Sequence, residues 1–276
     1  MNTVAAIDIG MNSVKLLLSD GTTERRSSHT VRLGEGLATT GLLQPDATAR
    51  ALDALRNIRS TIERAGVQRV AAVTTAPARR ARNAATFLDA ATEVLGVRPT
   101  VLSGADEGRF AAAGAQRGLD TPSPSLVLDI GGGSTELVVT TADTSQRVVL
   151  NAVSLDLGAL AITESHLRGD PPRADELSNA IGHVADHFDD AVREIPALLD
   201  IVSIVGTGGT IRTVAAVEIG RYVSAELHGF WLTRDAAEDV FRTLATERLA
   251  DRVHNPGLAA DRAPIIVGGI CVLVAI

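Results

Sequence analysis

An α/β fold in two halves follows from three features of these 276 residues. Short Val- and Leu-rich runs broken by glycine alternate with longer stretches of helical period, the pattern of strands and helices laid against one another. A strand–glycine turn–strand unit occurs twice: residues 6–18 align at one constant offset with residues 127–139, so that Asp8 falls on Asp129, Gly10 on Gly131 and Ser13 on Ser134. Between the copies lies Gly118-Leu119-Asp120-Thr121-Pro122-Ser123-Pro124, whose prolines and small polar residues mark a boundary. The expected domains are residues 1–119 and 120–276.

Taken in order, strand, turn and strand occupy residues 3–20, and a third strand ends near Leu33. Arg32-Leu33-Gly34-Glu35-Gly36 is a cleft-lining segment or a plain turn. Pro45 opens a helix that Gly66 closes, with Ala51, Leu52, Leu55, Ile58 and Ile62 at helical spacing. Gln68 to Thr74 is a strand. Asn83 caps a helix ended by Gly96, Pro99 to Leu102 is a short strand, and Ser103 with Asp106 forms the capping box of the next helix. The second half repeats the plan: two strands around the glycine turn, a third from Arg147 to Val153, helices near 158–168 and 173–195, a strand from Ile201 to Val205, and a helix opened by Gly206 to Thr210. The apolar run Ala263 to Ile276 is too short to span a bilayer and reads as a core helix.

Composition narrows the function. Hydrophobic residues make up 45% and aromatics only 3%, so the cores must be built from Ala, Val, Leu and Ile. The single cysteine, Cys271, cannot form an internal disulfide, and no charged-then-apolar leader opens the chain. A cytoplasmic protein without membrane contact is the expectation. A net charge of −7 argues against nucleic acid and makes any phosphate binding depend on local cations and backbone amides. Lys15 is the one lysine among 26 basic residues, and it lies just past the first glycine turn.

The glycine turns carry the chemistry. Gly131, Gly132 and Gly133, followed by Ser134, let backbone N–H groups approach a phosphate that a Cβ would keep away. Asp129 and Glu136 bracket the turn, where carboxylates suit a divalent cation. Ordinary hairpin glycines would not call for an aspartate before and a serine after. Lys15 falls on Glu136, so one copy carries a cation where the other carries an anion. Arg79, Arg80 and Arg82 follow a strand. All three could grip phosphate oxygens, and Arg80 and Arg82 read equally as a solvated basic turn. Glu107 sits in the first turn of a helix, where the macrodipole favours its charge. Gly208, Gly209 and Thr210 open a helix and form a second anion site. His183 and His187 have the spacing of a zinc pair, but the neighbouring Asp186, Asp189 and Asp190 read as a solvated acidic face. His228 is structural or substrate-side.

Asp129-Ile130-Gly131-Gly132-Gly133-Ser134-Thr135-Glu136 resembles the exopolyphosphatase/guanosine pentaphosphate phosphohydrolase (Ppx/GppA) family. So, in order along the chain, do Arg32 to Gly36, Ser103-Gly104 through Glu107-Gly108-Arg109, Asp170-Pro171-Pro172, Val205 to Thr210, and His228-Gly229 followed by Leu232-Thr233. Paired loops of this kind resemble the wider actin and hexokinase superfamily. The resemblance implies two ribonuclease H-like domains facing each other across a cleft, and a phosphohydrolase that removes terminal phosphate from inorganic polyphosphate. The alternative substrate is guanosine pentaphosphate. It implies that Glu107 activates water, and that Asp8, Asp129 and Glu136 hold Mg²⁺ or Mn²⁺, directly or through water. Asn12, Ser13, Lys15, Arg79, Gly131, Gly132, Gly133, Ser134, Gly208, Gly209 and Thr210 would then hold phosphate. A homodimer is a further expectation.

The loops alone would equally suit a sugar or acetate kinase, and a regulatory phosphate- or alarmone-binding module stays open. Met11 stands where similar proteins have Thr or Ser, and Ala76, Pro77 and Arg80 also depart from their pattern. Similar proteins continue past the equivalent of Ile276 with one more strand and helix, so the chain is expected to be truncated or a shortened variant.

Overall fold

The computed structural model describes residues 3–143 and 146–276; Met1, Asn2, Thr144 and Ser145, all inside the expected domains, lie outside the described residues. The chain divides into two compact units, the first ending at Ser103 and the second running Gly104–Ile276.

The first unit contains β1 (Val4–Ile9), β2 (Ser13–Ser19), β3 (Glu24–Thr30), α1 (Leu37–Thr40), α2 (Pro45–Arg64), β4 (Arg69–Thr74), α3 (Ala76–Arg80), α4 (Ala84–Leu95) and β5 (Thr100–Val101). Its sheet has the order β3-β2-β1-β4-β5. β2 is antiparallel to β1 and β3, while β4 runs parallel to β1 and β5. β1 alternates as a one-sided strand must: Ala5, Ile7 and Ile9 are buried and Val4 and Ala6 exposed. Pro45 supplies the first turn of α2, and Ala47, Ala51, Ala54, Leu55, Ile58 and Ile62 form its buried stripe. All of these but Ala47 join Ile7, Ile9, Leu33 and Leu95 in one core. Each fully buried Leu or Ile there contributes about 1.5–3 kcal/mol.

The second unit contains α5 (Gly104–Ala115), β6 (Ser125–Ile130), β7 (Thr135–Asp143), β8 (Gln146–Leu155), α6 (Ala159–His166), α7 (Ala174–Glu194), a 3₁₀ turn (Pro196–Leu199), β9 (Ser203–Thr207), α8 (Gly208–Ile219), α9 (Ser224–Leu227), α10 (Arg234–Thr246), α11 (Leu249–Arg252) and α12 (Ile266–Ala275). Its sheet has the order β8-β7-β6-β9. The antiparallel β6–β7 pair and the parallel β6–β9 pair reproduce β1–β2 and β1–β4. β6 is buried on both faces. Leu126, Leu128 and Ile130 join the large core beneath α7, α8, α10 and α12, whereas Val127 packs with Val138, Val205 and Ala112 of α5. A strand buried on both faces reads as a continuous apolar run, as Leu126 to Leu128 does. α5 precedes the Pro/Ser stretch, yet Ala112 closes this smaller core, and the helix groups with the second unit. Cys271 lies in the large core, where burial pushes its thiol up to about 12.

Two local expectations are corrected. Asn83 does not cap α4; its side chain accepts from Leu43 N at 2.9 Å and donates to Leu43 O at 3.0 Å. A neighbour distant in sequence has claimed the amide that capping would have used. The third strand stops at Thr30 rather than near Leu33, because Val31 N and Arg32 N both donate to Asn12 O at 2.9 Å and Arg32 takes a left-handed φ of 49°. Elsewhere the expected strands and helices form, with β9 displaced toward the glycine loop, and α1, α3, α9, α10 and α11 stand where no element was expected. Among the described residues no helix is long and apolar enough to cross a membrane.

Candidate active site

In the first unit, Gly10 N donates to Ser13 O at 3.1 Å, closing the glycine turn between β1 and β2. The register sets Asp8 opposite Lys15, and Lys15 Nζ lies 3.0 Å from Asp8 Oδ2. Asn12 is 3% exposed, and neither of its side-chain polar atoms has a hydrogen-bond partner among the described residues. An orphaned buried amide is uncommon enough to mark a position built for something besides stability. Met11, which departs from the pattern of similar proteins, is buried against Gly34, where any side chain would collide with its sulfur. Arg79 Nη1 donates to Leu102 O at 3.0 Å, which fixes its stem at the end of β5. Arg82 Nη2 donates to Thr40 O at 2.9 Å, an anchor for the end of α1.

In the second unit the equivalent turn is closed by Gly131 N donating to Ser134 O at 2.9 Å. The loop is also tied from behind. Ala159 N donates to Gly131 O at 2.9 Å, Leu160 N to Gly132 O at 2.8 Å, and Ala161 N to Gly132 O at 3.1 Å. Gly158 has no side chain because a Cβ would overlap the Gly132–Gly133 peptide. In a trans peptide the N–H points opposite to the C=O. With the carbonyls of Gly131 and Gly132 turned to α6, the N–H groups of Gly132 and Gly133 face away from it, the arrangement of an anion-binding nest.

The acids gather around this loop. Register places Glu136 opposite Asp129. Glu136 is 1% exposed. Burial first, then the negative charges of Glu107 and Asp129, raise its carboxyl to about 8, against hydroxyl hydrogen bonds from Ser154 and Ser134 that pull the other way. Ser154 Oγ donates to Glu136 Oε1 at 2.8 Å. α5 brings Glu107 close because two of its positions are glycine: Gly104 packs on Ser154, and Gly108 packs on Val138 and Glu136. Asp129 lies against Gly208, which has a φ of 87° and no room for a Cβ beside Asp129 Oδ1. Gly209 in turn packs on the guanidinium of Arg262. Burial lowers the Arg262 pKa, with Asp261 and Tyr222 opposing and Arg212 reinforcing.

Glu107, Asp129 and Glu136 are therefore brought together, with Gly208 and Gly209 adjoining. Asp8 lies in the first unit, paired with Lys15, so the expected metal set is divided between the units. Carboxylate oxygens with a surplus of negative charge are donors of the kind a divalent cation takes. Among the described residues no three His, Cys, Asp or Glu side chains are arranged to hold an ion directly. Among the described residues His183 and His187 join no metal constellation; the His183 ring lies tilted against His166 at 4.8 Å and edge-on to His187 at 4.4 Å between ring centroids. His228 is exposed. Ser154, Gly158 and Arg262 went unnoticed in the sequence. Only strand register and long-range packing bring them to the site.

The family model for the Ppx/GppA phosphatase family matches residues 21–276. Exopolyphosphatase 2 of Mycobacterium tuberculosis (strain CDC 1551 / Oshkosh) is 32% identical over 293 aligned residues, covering 99% of this chain and 89% of that protein. A guanosine-5'-triphosphate,3'-diphosphate pyrophosphatase of Vibrio atlanticus (strain LGP32) is 27% identical across 99% of this chain and 54% of its own length. The crystal structure of an exopolyphosphatase-like protein superposes with a TM-score of 0.94 at 32% identity, covering 99% of this chain and 87% of that one. An Aquifex aeolicus Ppx/GppA family member superposes with a TM-score of 0.77 at 29% identity, covering 99% and 89%. With its repeated glycine hairpins on two α/β units and a family match over most of its length, the chain belongs to the Ppx/GppA phosphatase family.

Proposed function

We propose that this phosphatase hydrolyses a terminal phosphoanhydride bond, with inorganic polyphosphate as substrate and guanosine pentaphosphate as the alternative. The observation that carries the reading is the acidic group in the second unit. Glu136 is held near 8 by burial and by Glu107 and Asp129, beside a loop whose N–H groups are turned outward. Such a site favours a divalent cation together with a phosphate. Similarity to an exopolyphosphatase over nearly the whole chain supports the first substrate, and similarity to a guanosine pentaphosphate-type pyrophosphatase the second.

Glu107 takes the proton from a water that attacks the terminal phosphorus in line, as the bond from that phosphorus to the bridging oxygen opposite the water breaks and the shortened phosphate chain leaves with that oxygen. Asp129 and Glu136 are the cation's carboxylates in the second unit, and Asp8 is the corresponding acid of the first. Mg²⁺ or Mn²⁺, when bound, neutralises charge on the phosphoryl oxygens. Gly131, Gly132, Gly133 and Ser134 hold phosphate through backbone N–H groups, as do Gly208, Gly209 and Thr210 at the start of α8. Arg262 adds a cation beside Gly209. In the first unit Asn12, Ser13, Lys15 and Arg79 are the phosphate-holding set.

The net charge of −7 opposes nucleic acid and a polyanionic substrate alike, so phosphate binding rests on local cations and backbone amides. The one buried thiol suits the cytoplasm. Incubation with polyphosphate, guanosine pentaphosphate and ATP in the presence of Mg²⁺, following released phosphate, tests the reading. Release from polyphosphate supports it, release from guanosine pentaphosphate alone selects the alternative, and no release from either overturns it in favour of a binding module.

A further inference from the structure

We propose that Ser154 is the positioning residue of the acidic group, fixing the direction in which the Glu136 carboxylate faces. This rests on the reading of the site given above.

Ser154 stands on β8 directly across from Glu136 on β7. Its hydroxyl donates to Glu136 Oε1 at 2.8 Å. Glu136 is 1% exposed, so water does not compete for that oxygen. Tying one carboxylate oxygen to β8 fixes the rotation of the group and so the direction of the second oxygen. Ser134 gives Glu136 a further hydroxyl bond from within the phosphate loop. The carboxylate is thus spanned between the loop and the neighbouring strand.

Ser154 is itself held in place. Its Cβ packs directly on Gly104, the first residue of α5, where even a methyl group would collide. The same helix carries Glu107, and its Gly108 packs on the Cβ and Cγ of Glu136. One small side chain therefore sets two relations: it hydrogen-bonds one acid, and it seats the helix that bears another. A long side chain at 154 would push α5 away, and a small apolar one would release Glu136. Serine has the size and the donor that both contacts need. Hydrogen bonds that orient a metal-binding carboxylate typically carry a 10–100-fold effect on metal affinity or activity.

Ser154→Ala removes one oxygen and adds no bulk. Three readouts decide: thermal melting without metal, Mn²⁺ binding followed by titration calorimetry, and steady-state phosphate release as a function of Mg²⁺. The expected variant melts like the parent without metal. Its Mn²⁺ dissociation constant and the Mg²⁺ needed for half-maximal activity rise about 10–100-fold. kcat falls at low Mg²⁺ and is largely restored by excess Mg²⁺, while KM for the phosphate substrate stays put. General structural damage would not be repaired by added metal. A parent that binds Mn²⁺ and releases phosphate alongside a variant that matches it in both overturns the role of Ser154 alone. A parent that does neither overturns the reading of the site and Ser154 with it.

Discussion

Lys15 Nζ lies 3.0 Å from Asp8 Oδ2 across the first hairpin, and at the equivalent cross-strand position of the second hairpin Glu136 faces Asp129. The same backbone plan has been given opposite charge. One copy is a neutralised pair, the other a concentrated negative site. The two hairpins therefore differ in charge at the same backbone position.

Lys15 is 55% exposed and Asp8 38%, and an ion pair that open contributes at most about 1 kcal/mol to stability. Lys15→Ala should melt like the parent but bind a short polyphosphate about tenfold more weakly or worse, the scale of a lost charged hydrogen bond. Lys15→Arg should be milder. Isothermal titration at low and high salt is the measurement, and the difference should shrink as salt rises. Equal binding by Lys15→Ala at low salt would make the lysine an ordinary strand residue.

Glu107→Gln keeps shape and hydrogen bonding but cannot accept a proton. Turnover should fall by about 10²–10⁴, with melting and Mn²⁺ binding retained. Undiminished turnover would remove Glu107 from the catalytic role.

Glu136 gives a pH signature without metal. Its folded pKa of about 8 lies above the ordinary 4.5, so the folded state holds a proton that the unfolded chain gives up. This contribution to stability is complete below about 4.5 and is lost as pH rises through 8. Relative to Glu136→Gln, the metal-free parent should lose melting temperature between pH 5 and 9. Mn²⁺ affinity should rise over the same range, because the cation displaces that proton. Parallel melting profiles for parent and variant would contradict the assignment.

The neighbouring histidines act in the opposite direction. His183 is lowered from 6.5 by burial, then by His187 and His166, against a pull from Asp186; His166 is lowered by burial. Below 6.5 the unfolded chain takes up protons that the folded state resists. Stability supplied here is present above 6.5 and lost as pH falls below it. His183→Gln should flatten the acid side of the melting profile while leaving the alkaline side to Glu136.

The hairpins were legible in the sequence because the hydrogen bonds from Gly10 to Ser13 and from Gly131 to Ser134 need that spacing, and a repeat exposes it. α2 was legible from its buried stripe. Asn83 misled, since the Leu43 backbone that takes its amide lies far off in the chain. Ser154 could not be placed against Glu136 without strand register, and β7–β8 carries an irregularity at Val139/Thr140 that shifts the pairing. Arg262 reaches Gly209 only through the packing of the segment before α12. What local chemistry dictates was readable; what register and distant packing dictate was not.

α12 gives the two glycine loops of the second unit a common datum. Gly268 lies against Thr163 and Ala159 of α6, the helix whose amides hold Gly131 and Gly132, and Gly269 lies against Thr210 at the start of α8. Two hydrogens stand where side chains would be, and through them two loops from different strand ends are gauged from one surface. A working site tolerates displacements of only about 0.5 Å, less than the radius of a methyl group. Neither loop can drift by itself: a change at 268 or 269 moves one against the other, so compensating substitutions must be sought in α6 or α8, well behind the reacting groups.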